Sequence, residues 1–510
     1  MSRRIAALSI IALVGVAGNT LAASDATLAD AAENRDGALI RSLLADGAPA
    51  NAAQVDGMTA LHWAVYHDDA VAAELLVRSG ANVNATNHYG VGPLSLACTN
   101  GNATIVTLLL DAGANANAVL RGGETVLMTA SRTGSLDAVK ALLADGANPN
   151  TREQRQQTAL MWAAAEGHAS VVQTLIDAEA DFRMRLESGF TPLFFAVREG
   201  HPEVVHILLK AGIDVNETLH REGGPSYRLA RDGTSPLLMA IENGHFELAI
   251  ALVNAGADPN DERSGLTPLH TLTRVRKPDA SDLGDPAPRG SGNMTSLQFA
   301  HALVRLGADV NHRLGMGGAN ECVGALACGK MRGATPFLMA ADRADAPYMH
   351  LLLELGADPF LPNLANTTPL MAAAGLGTGA PIEEAGTEPE ALQAVELLLS
   401  LGANVNAVNN EGETAMHGAA YGSFPSIVLL LADNNADSAI WRKHNKRGWT
   451  PLLIAEGYRP GNFKPAPATI EALNRIMLAA GVPTEGPRPR HVGIYEQIRL
   501  AEEKKASQKP

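Results

Sequence analysis

The sequence predicts an all-α solenoid. About twelve helix-turn-helix repeats stack side by side, joined by hairpin loops and interrupted by several long insertions. Three observations carry this. A helix-ending slot recurs at Gly47, Gly80, Gly113, Gly146, Glu179 and Gly212, each step being 33 residues, and self-similarity at that period marks stacked supersecondary units. A Thr-Pro-Leu-type opening recurs in phase with it, as in Thr59-Ala60-Leu61-His62, Thr191-Pro192-Leu193-Phe194, Thr267-Pro268-Leu269-His270 and Thr450-Pro451-Leu452-Leu453. Finally, 46% of the residues are hydrophobic but only 4% aromatic, so Ala, Leu and Gly must form the core, which suits thin helices packed closely.

From the N-terminus, Arg3 and Arg4 precede the apolar run Ile5 to Ala17, which is too short to span a bilayer. Thr20-Leu21-Ala22-Ala23 then offers small residues for cleavage after Ala22 or Ala23. Residues 1–23 therefore read as a bacterial signal peptide, with a retained membrane anchor as the alternative. The expected location is periplasmic or secreted. Removing this segment, with its two arginines and no acid, would take the formal net charge from -14 to -16. An acidic surface argues against nucleic acid or anionic lipid as a partner.

Residues 24–216 are the regular block, its first repeat lacking a clear opening and expected to serve as the N-terminal cap. In each repeat Thr or Ser caps the first helix by accepting from free backbone N–H groups, and Pro fits the first helical position. Leu points inward, and pairs such as Ala163-Ala164 and Ala340-Ala341 let helices approach closely. The slot that ends each second helix wants a positive φ. Glycine adopts it freely and Asn435 tolerably, whereas Glu179 should be a local weak point of about 1 kcal/mol.

Residues 217–481 continue the array with insertions. Glu217 to Gly233 and Arg313 to Gly333 lengthen hairpins between repeats; Arg276 to Met294, Gly377 to Glu388 and Tyr458 to Ala468 lengthen the turn between a repeat's two helices. Hairpin insertions should lie beside the groove lined by the first helices, and turn insertions at the opposite edge. Residues 482–510 form a polar tail in which Ile494 to Lys505 could make a short capping helix.

The openings, the Gly-His turns (Gly167-His168, Gly200-His201, Gly244-His245) and the endings such as Gly80 to Asn84, Gly256 to Asn260 and Gly402 to Asn406 together resemble the ankyrin repeat family, over roughly Asp25 to Gly481. The exported form with long insertions is similar to secreted ankyrin proteins of environmental bacteria. The resemblance implies that His62, His270 and His417 tie the helix opening to neighbouring backbone. It also implies a partner bound through the hairpin tips and the exposed ends of the first helices. Mapped by phase, that surface is Tyr66, His88, Tyr89, Val91, Arg121, Arg132, Arg155, Phe190 and Arg198. Exposed aromatic and Arg side chains are typical interface anchors. Trp63, Trp162 and Phe195 share one slot and are expected to pack between neighbouring repeats; Trp441 and Trp449, on a late hairpin, offer a second anchor.

Other chemistry is sparse. Gly324 to Met331 nearly spells a phosphate-binding loop, but Met331 stands where a hydroxyl must reach Mg²⁺ and no strand precedes it. Cys322 and Cys328 are close enough in sequence for a disulfide in an oxidising compartment, or remain two free thiols. Cys98 reads as a buried small hydrophobe. No histidine pair has the spacing of a helical zinc site, and no metal or other cofactor is expected. The expectation is a non-enzymatic, monomeric scaffold that binds another protein in the cell envelope, without nucleic acid and without membrane insertion of the mature chain. Two alternatives stand beside it: an accessory subunit of an exported redox enzyme, and an enzyme with its site in the insertions of 217–333.

Overall fold

A computed structural model describes residues 27–220, 232–278, 288–315, 332–379, 386–459, 464–486 and 488. Among them are twenty-five helices and no strand, as expected for an all-α solenoid. The chain divides into two compact units, Met1–Ala163 with Ser170–Asp181, and Ala164–Ala169 with Phe182–Pro510. The signal segment, Cys322 and Cys328, the near phosphate loop at 324–331 and the tail helix at 494–505 all lie outside the described residues.

The helix-ending slot behaves as its spacing requires. Gly47, Gly80, Gly113 and Gly146 have φ between 82° and 85°, and the two substitutes that carry a side chain follow them, Glu179 at 61° and Asn435 at 65°. The first unit pairs short helices such as Ala60–Tyr66 with Ala70–Arg78, and Val126–Thr133 with Leu136–Ala144. Thr125 caps the latter pair's first helix by accepting from the Met128 N–H at 3.2 Å. In the second unit the capping rule has exceptions. Thr191 makes no cap bond; its hydroxyl donates instead to Glu217 Oε1 at 2.5 Å, where Arg185 Nη2 also meets Oε2 at 3.1 Å. Burial pushes the Glu217 carboxyl above its ordinary value, against the pull of Thr191 and Arg185.

Successive repeats are clamped by an asparagine four residues after the glycine slot. Asn117 Nδ2 donates to Gly146 O at 2.9 Å while its Oδ1 accepts from the Asn148 N–H at 2.9 Å. Asn51 and Asn84 repeat this in the first unit, and Asn216, Asn260 and Asn311 in the second. Arg183 substitutes in part, donating to Gly212 O at 3.2 Å.

The insertions leave the scaffold undisturbed at their roots. The Leu219 N–H donates to Thr234 O (2.9 Å) and Gly233 to Leu219 O (2.8 Å); Leu314, Ala334 and Gly333 reproduce the same two-bond stem. The described end of the 276–294 insertion packs at the turn edge, where Ser291 Oγ lies 2.8 Å from His245 Nδ1 and the Met294 N–H donates to Glu247 at 2.7 Å. This is the edge expected for a turn insertion.

Candidate partner-binding surface

The first unit carries its aromatic side chains where a helix end meets a hairpin tip. Tyr66 closes the helix Ala60–Tyr66 and is 55% exposed; Tyr89 sits on a tip at 62%, and Val55, on the preceding tip, at 97%. Behind Tyr66 the side chains are locked. The Trp63 and His67 rings stack at 5.8 Å, and Tyr66 meets Trp63 edge-on at 5.6 Å. Trp63 Nε1 donates to Gln54 Oε1 at 2.7 Å, and Gln54 Nε2 reaches both Asp30 Oδ1 and Glu33 Oε2 at 2.7 Å. A guanidinium can only donate, so the 3.0 Å contact of Arg35 Nη2 with His67 Nδ1 makes that nitrogen the acceptor. The proton is then on Nε2, which donates to Glu33 O at 2.9 Å. Arg35, Tyr66, His67, Asp68 and Asn100 line a shallow recess at this point. The aromatics were legible by phase. Arg35, Gln54 and Asn100 were not, because each reaches the site across repeats.

Of the remaining expected residues in this unit, His88, Arg121 and Arg155 are exposed. Arg121 is also tied down, its guanidinium donating to the His88 carbonyl. Arg132 is half-buried, 4.8 Å above the Trp162 ring and 3.6 Å from the Glu124 carboxylate. Trp162 is therefore a packing residue, as expected, and Arg132 is its lid. Val91 is half-buried and structural: its N–H donates to Asn87 Oδ1, and its carbonyl accepts from His62 Nε2 at 3.1 Å.

In the second unit two expected anchors are corrected. Phe190 is only 8% exposed. It packs on Phe194 and Phe195 at 5.8 and 5.4 Å, and the half-buried Arg198 covers the rings from 5.4 and 5.3 Å. Its slot, directly before the Thr that opens the helix, turns inward; Met58 and Leu266 fill the same slot and are buried, a signal already present in the sequence. Trp441 is 3% exposed, on the short helix Ser438–Trp441 rather than an extended hairpin. Its Nε1 donates to Ala436 O at 3.3 Å. Trp449 is half-buried.

The recurring polar slots are structural. Thr59 Oγ1 lies 2.7 Å from His62 Nδ1, and Thr267 Oγ1 2.6 Å from His270 Nδ1. His270 Nε2 donates to Ala334 O at 3.1 Å. Burial lowers all three imidazoles, His270 to about 3 and His417 to about 4, so they stay neutral; His62 and His270 serve as hydrogen-bonded struts to the next repeat, while His417 Nδ1 accepts from the Thr414 N–H of its own opening at 3.2 Å. Burial pushes the Cys98 thiol up to about 12, consistent with an inert core position. Among the described residues no group of three or more His, Cys, Asp or Glu could hold a metal ion. Among the same residues no helix is long and apolar enough to cross a membrane.

A recurring Thr-Pro-Leu-type opening, a positive φ at each ending and a 33-residue step in the regular block define a repeat type, and comparison with known proteins agrees. The family described as ankyrin repeats (3 copies) matches residues 28–120, 70–153, 127–219 and 385–462, and ankyrin repeats (many copies) matches 193–253. These spans take in more than half of the chain. The chain belongs to the ankyrin repeat family. It is 32% identical over 128 residues to a protein of Mus musculus named B-cell lymphoma 3 protein homolog, a stretch that covers 25% of this chain and 25% of that relative. The ankyrin repeats extend between the matched spans as well. The openings at Thr335 and Thr368 cap helices Pro336–Asp342 and Pro369–Ala373, and Thr267 opens the helix Pro268–Arg276 without a side-chain cap bond.

Proposed function

We propose that this ankyrin array is a non-enzymatic scaffold exported to the cell envelope, and that it binds a partner protein through the tips and first-helix ends of its first unit. Ankyrin repeats are modules for binding other proteins. One observation supports placing the contact here. Tyr66 and Tyr89 hold large aromatic surfaces in solvent, and Tyr66 stands on a stack already ordered by Gln54, Arg35 and Glu33. A preorganised aromatic loses little side-chain entropy on binding and is therefore a strong anchor. Phe190 and Trp441 have no part in this reading, since both are buried. Export rests on Arg3, Arg4 and the apolar run to Ala17; an intact-mass measurement of protein recovered from the native host should find a chain beginning at residue 23 or 24.

The test is affinity capture by the mature chain, compared with Tyr66→Ala/Tyr89→Ala and with Val71→Ser, which alters an exposed apolar residue of the helix Ala70–Arg78 instead. The double variant should lose the captured partner by at least about tenfold, as two hot-spot truncations require. Val71→Ser should retain it. Equal capture by all three proteins would remove the surface from consideration.

A further inference from the structure

The helix Pro467–Ala479 is the last one described, and its outer face is unfinished. In each of the eleven earlier repeats the residue seven positions before the helix-ending slot is apolar and at most 3% exposed; Ile40, Val106, Val172, Val205, Met349 and Val428 are examples. In the last repeat, which ends at Gly481, that slot holds Asn474. A polar residue replacing a core one is what the end of a stacked array requires. Yet the Asn474 Oδ1 is shielded from solvent and has no hydrogen-bond donor among the described residues. Along the same stripe, at i−4 and i+4, stand Ile470, half-buried, and Leu478, 66% exposed. Pro467, Glu471 and Arg475 complete the recess around them.

The chain is held at this place as it leaves. Arg488 pairs with Glu456, at 2.6 Å from Nη2 to Oε1 and 2.6 Å from Nε to Oε2, just after the helix Pro451–Ala455 of the same repeat. Residues 489–510 therefore begin beside the last repeat. As a helix they would reach about 30 Å, against about 20 Å for the thirteen residues of Pro467–Ala479. Within them Ile494, Ile498 and Ala501 recur at i, i+4 and i+7 with Tyr495 and Glu502 at one margin, while Glu496, Arg499 and Glu503 fall elsewhere. That is the pattern of a helix with one narrow apolar face.

We propose that the segment 491–505 docks as an amphipathic helix on the Ile470–Asn474–Leu478 stripe and closes the array. Ile494 and Ile498 cover Leu478 and Ile470, and a donor of the segment, the Tyr495 hydroxyl or the Gln497 amide, satisfies Asn474 Oδ1. The consequence is a monomer whose end is sealed. Left open, an apolar stripe at the end of a repeat array is a site for another chain.

Hydrogen exchange on the full chain tests this. In Ile494→Asp/Ile498→Asp the amides of 470–479 should exchange about tenfold faster or more, because local opening sets their rate. Leu478→Glu alters a surface residue and so folds whichever way the proposal falls; it should accelerate exchange across 494–501 in return. Glu503→Gln should change neither region. Unaltered exchange at 470–479 in the double variant would overturn the docking. So would protection of 470–479 that grows with protein concentration alongside a sedimentation shift, since the stripe would then belong to a second copy.

Discussion

Glu179 occupies a slot that every regular neighbour fills with glycine, and replacing it should stabilise the protein. Its φ of 61° is left-handed, and its side chain is exposed, with no hydrogen bond or ion pair to the described residues. What the residue contributes comes from its backbone. The N–H donates to Ile176 O at 3.0 Å and the carbonyl accepts from Asn150 Nδ2 at 3.0 Å. Both survive in Glu179→Gly. The left-handed conformation costs a residue with a Cβ roughly 1–2 kcal/mol. The extra freedom of glycine in the unfolded chain takes back at most about 1 kcal/mol. A net gain of about 0.5–1 kcal/mol remains, or about 2 °C in melting temperature for a unit of this size. Urea unfolding followed by circular dichroism reads it, with hydrogen exchange at 171–178 as the local probe. Glu179→Ala is the decisive control: it removes the same side-chain atoms beyond Cβ but keeps the strain, and should gain nothing. If Gly and Ala variants are equally stable, backbone strain is not what distinguishes this repeat.

Asn117→Ala removes both arms of one clamp, to Gly146 and Asn148, and should cost about 1–2 kcal/mol in urea unfolding, two ordinary net hydrogen bonds; a loss below about 0.3 kcal/mol would show that the clamps are ornamental. Asp345→Ala strands Arg276, which it meets at 2.6 and 2.8 Å from a position 1% exposed, and should cost about 3–5 kcal/mol by the same measurement, much of it recovered when Arg276→Met is added. Stability should fall in mild acid. His270 and His417 have folded values of about 3 and 4, below an unfolded value near 6.5. The unfolded state thus binds protons first, so their contribution is complete above about pH 6.5 and is lost as pH falls toward 4 and 3. At pH 5 each costs about 2 kcal/mol relative to pH 7.5. His270→Met, which copies the residue that Met161 supplies in the same slot, should flatten part of that slope; an unchanged slope would assign it to carboxylates instead.

The array was legible in the sequence because its rules are local. A capping Thr, a proline at the first helical position and a residue able to take positive φ each act within a few residues, so their spacing along the chain reports the repeat directly. Even the exceptional Glu179 was legible as a strained substitute. The candidate surface was legible only in part. Tyr66, Tyr89, His88, Arg121 and Arg155 are exposed as their phase implies, but Phe190 and Trp441 turn inward and Arg132 lies down on Trp162. Phase locates a Cα; it does not say whether the gap beside that Cα must be filled. Phe190 is buried because Phe194, Phe195 and Arg198 leave room for a ring, and Arg35 reaches His67 only because stacking brings residues 32 apart into contact. By itself the sequence determined the repeat, its period and the slot where Glu179 takes a positive φ in place of glycine. Only the tertiary structure decided which side chains remain in solvent, since burial depends on the neighbouring repeat and not on the repeat that carries the residue.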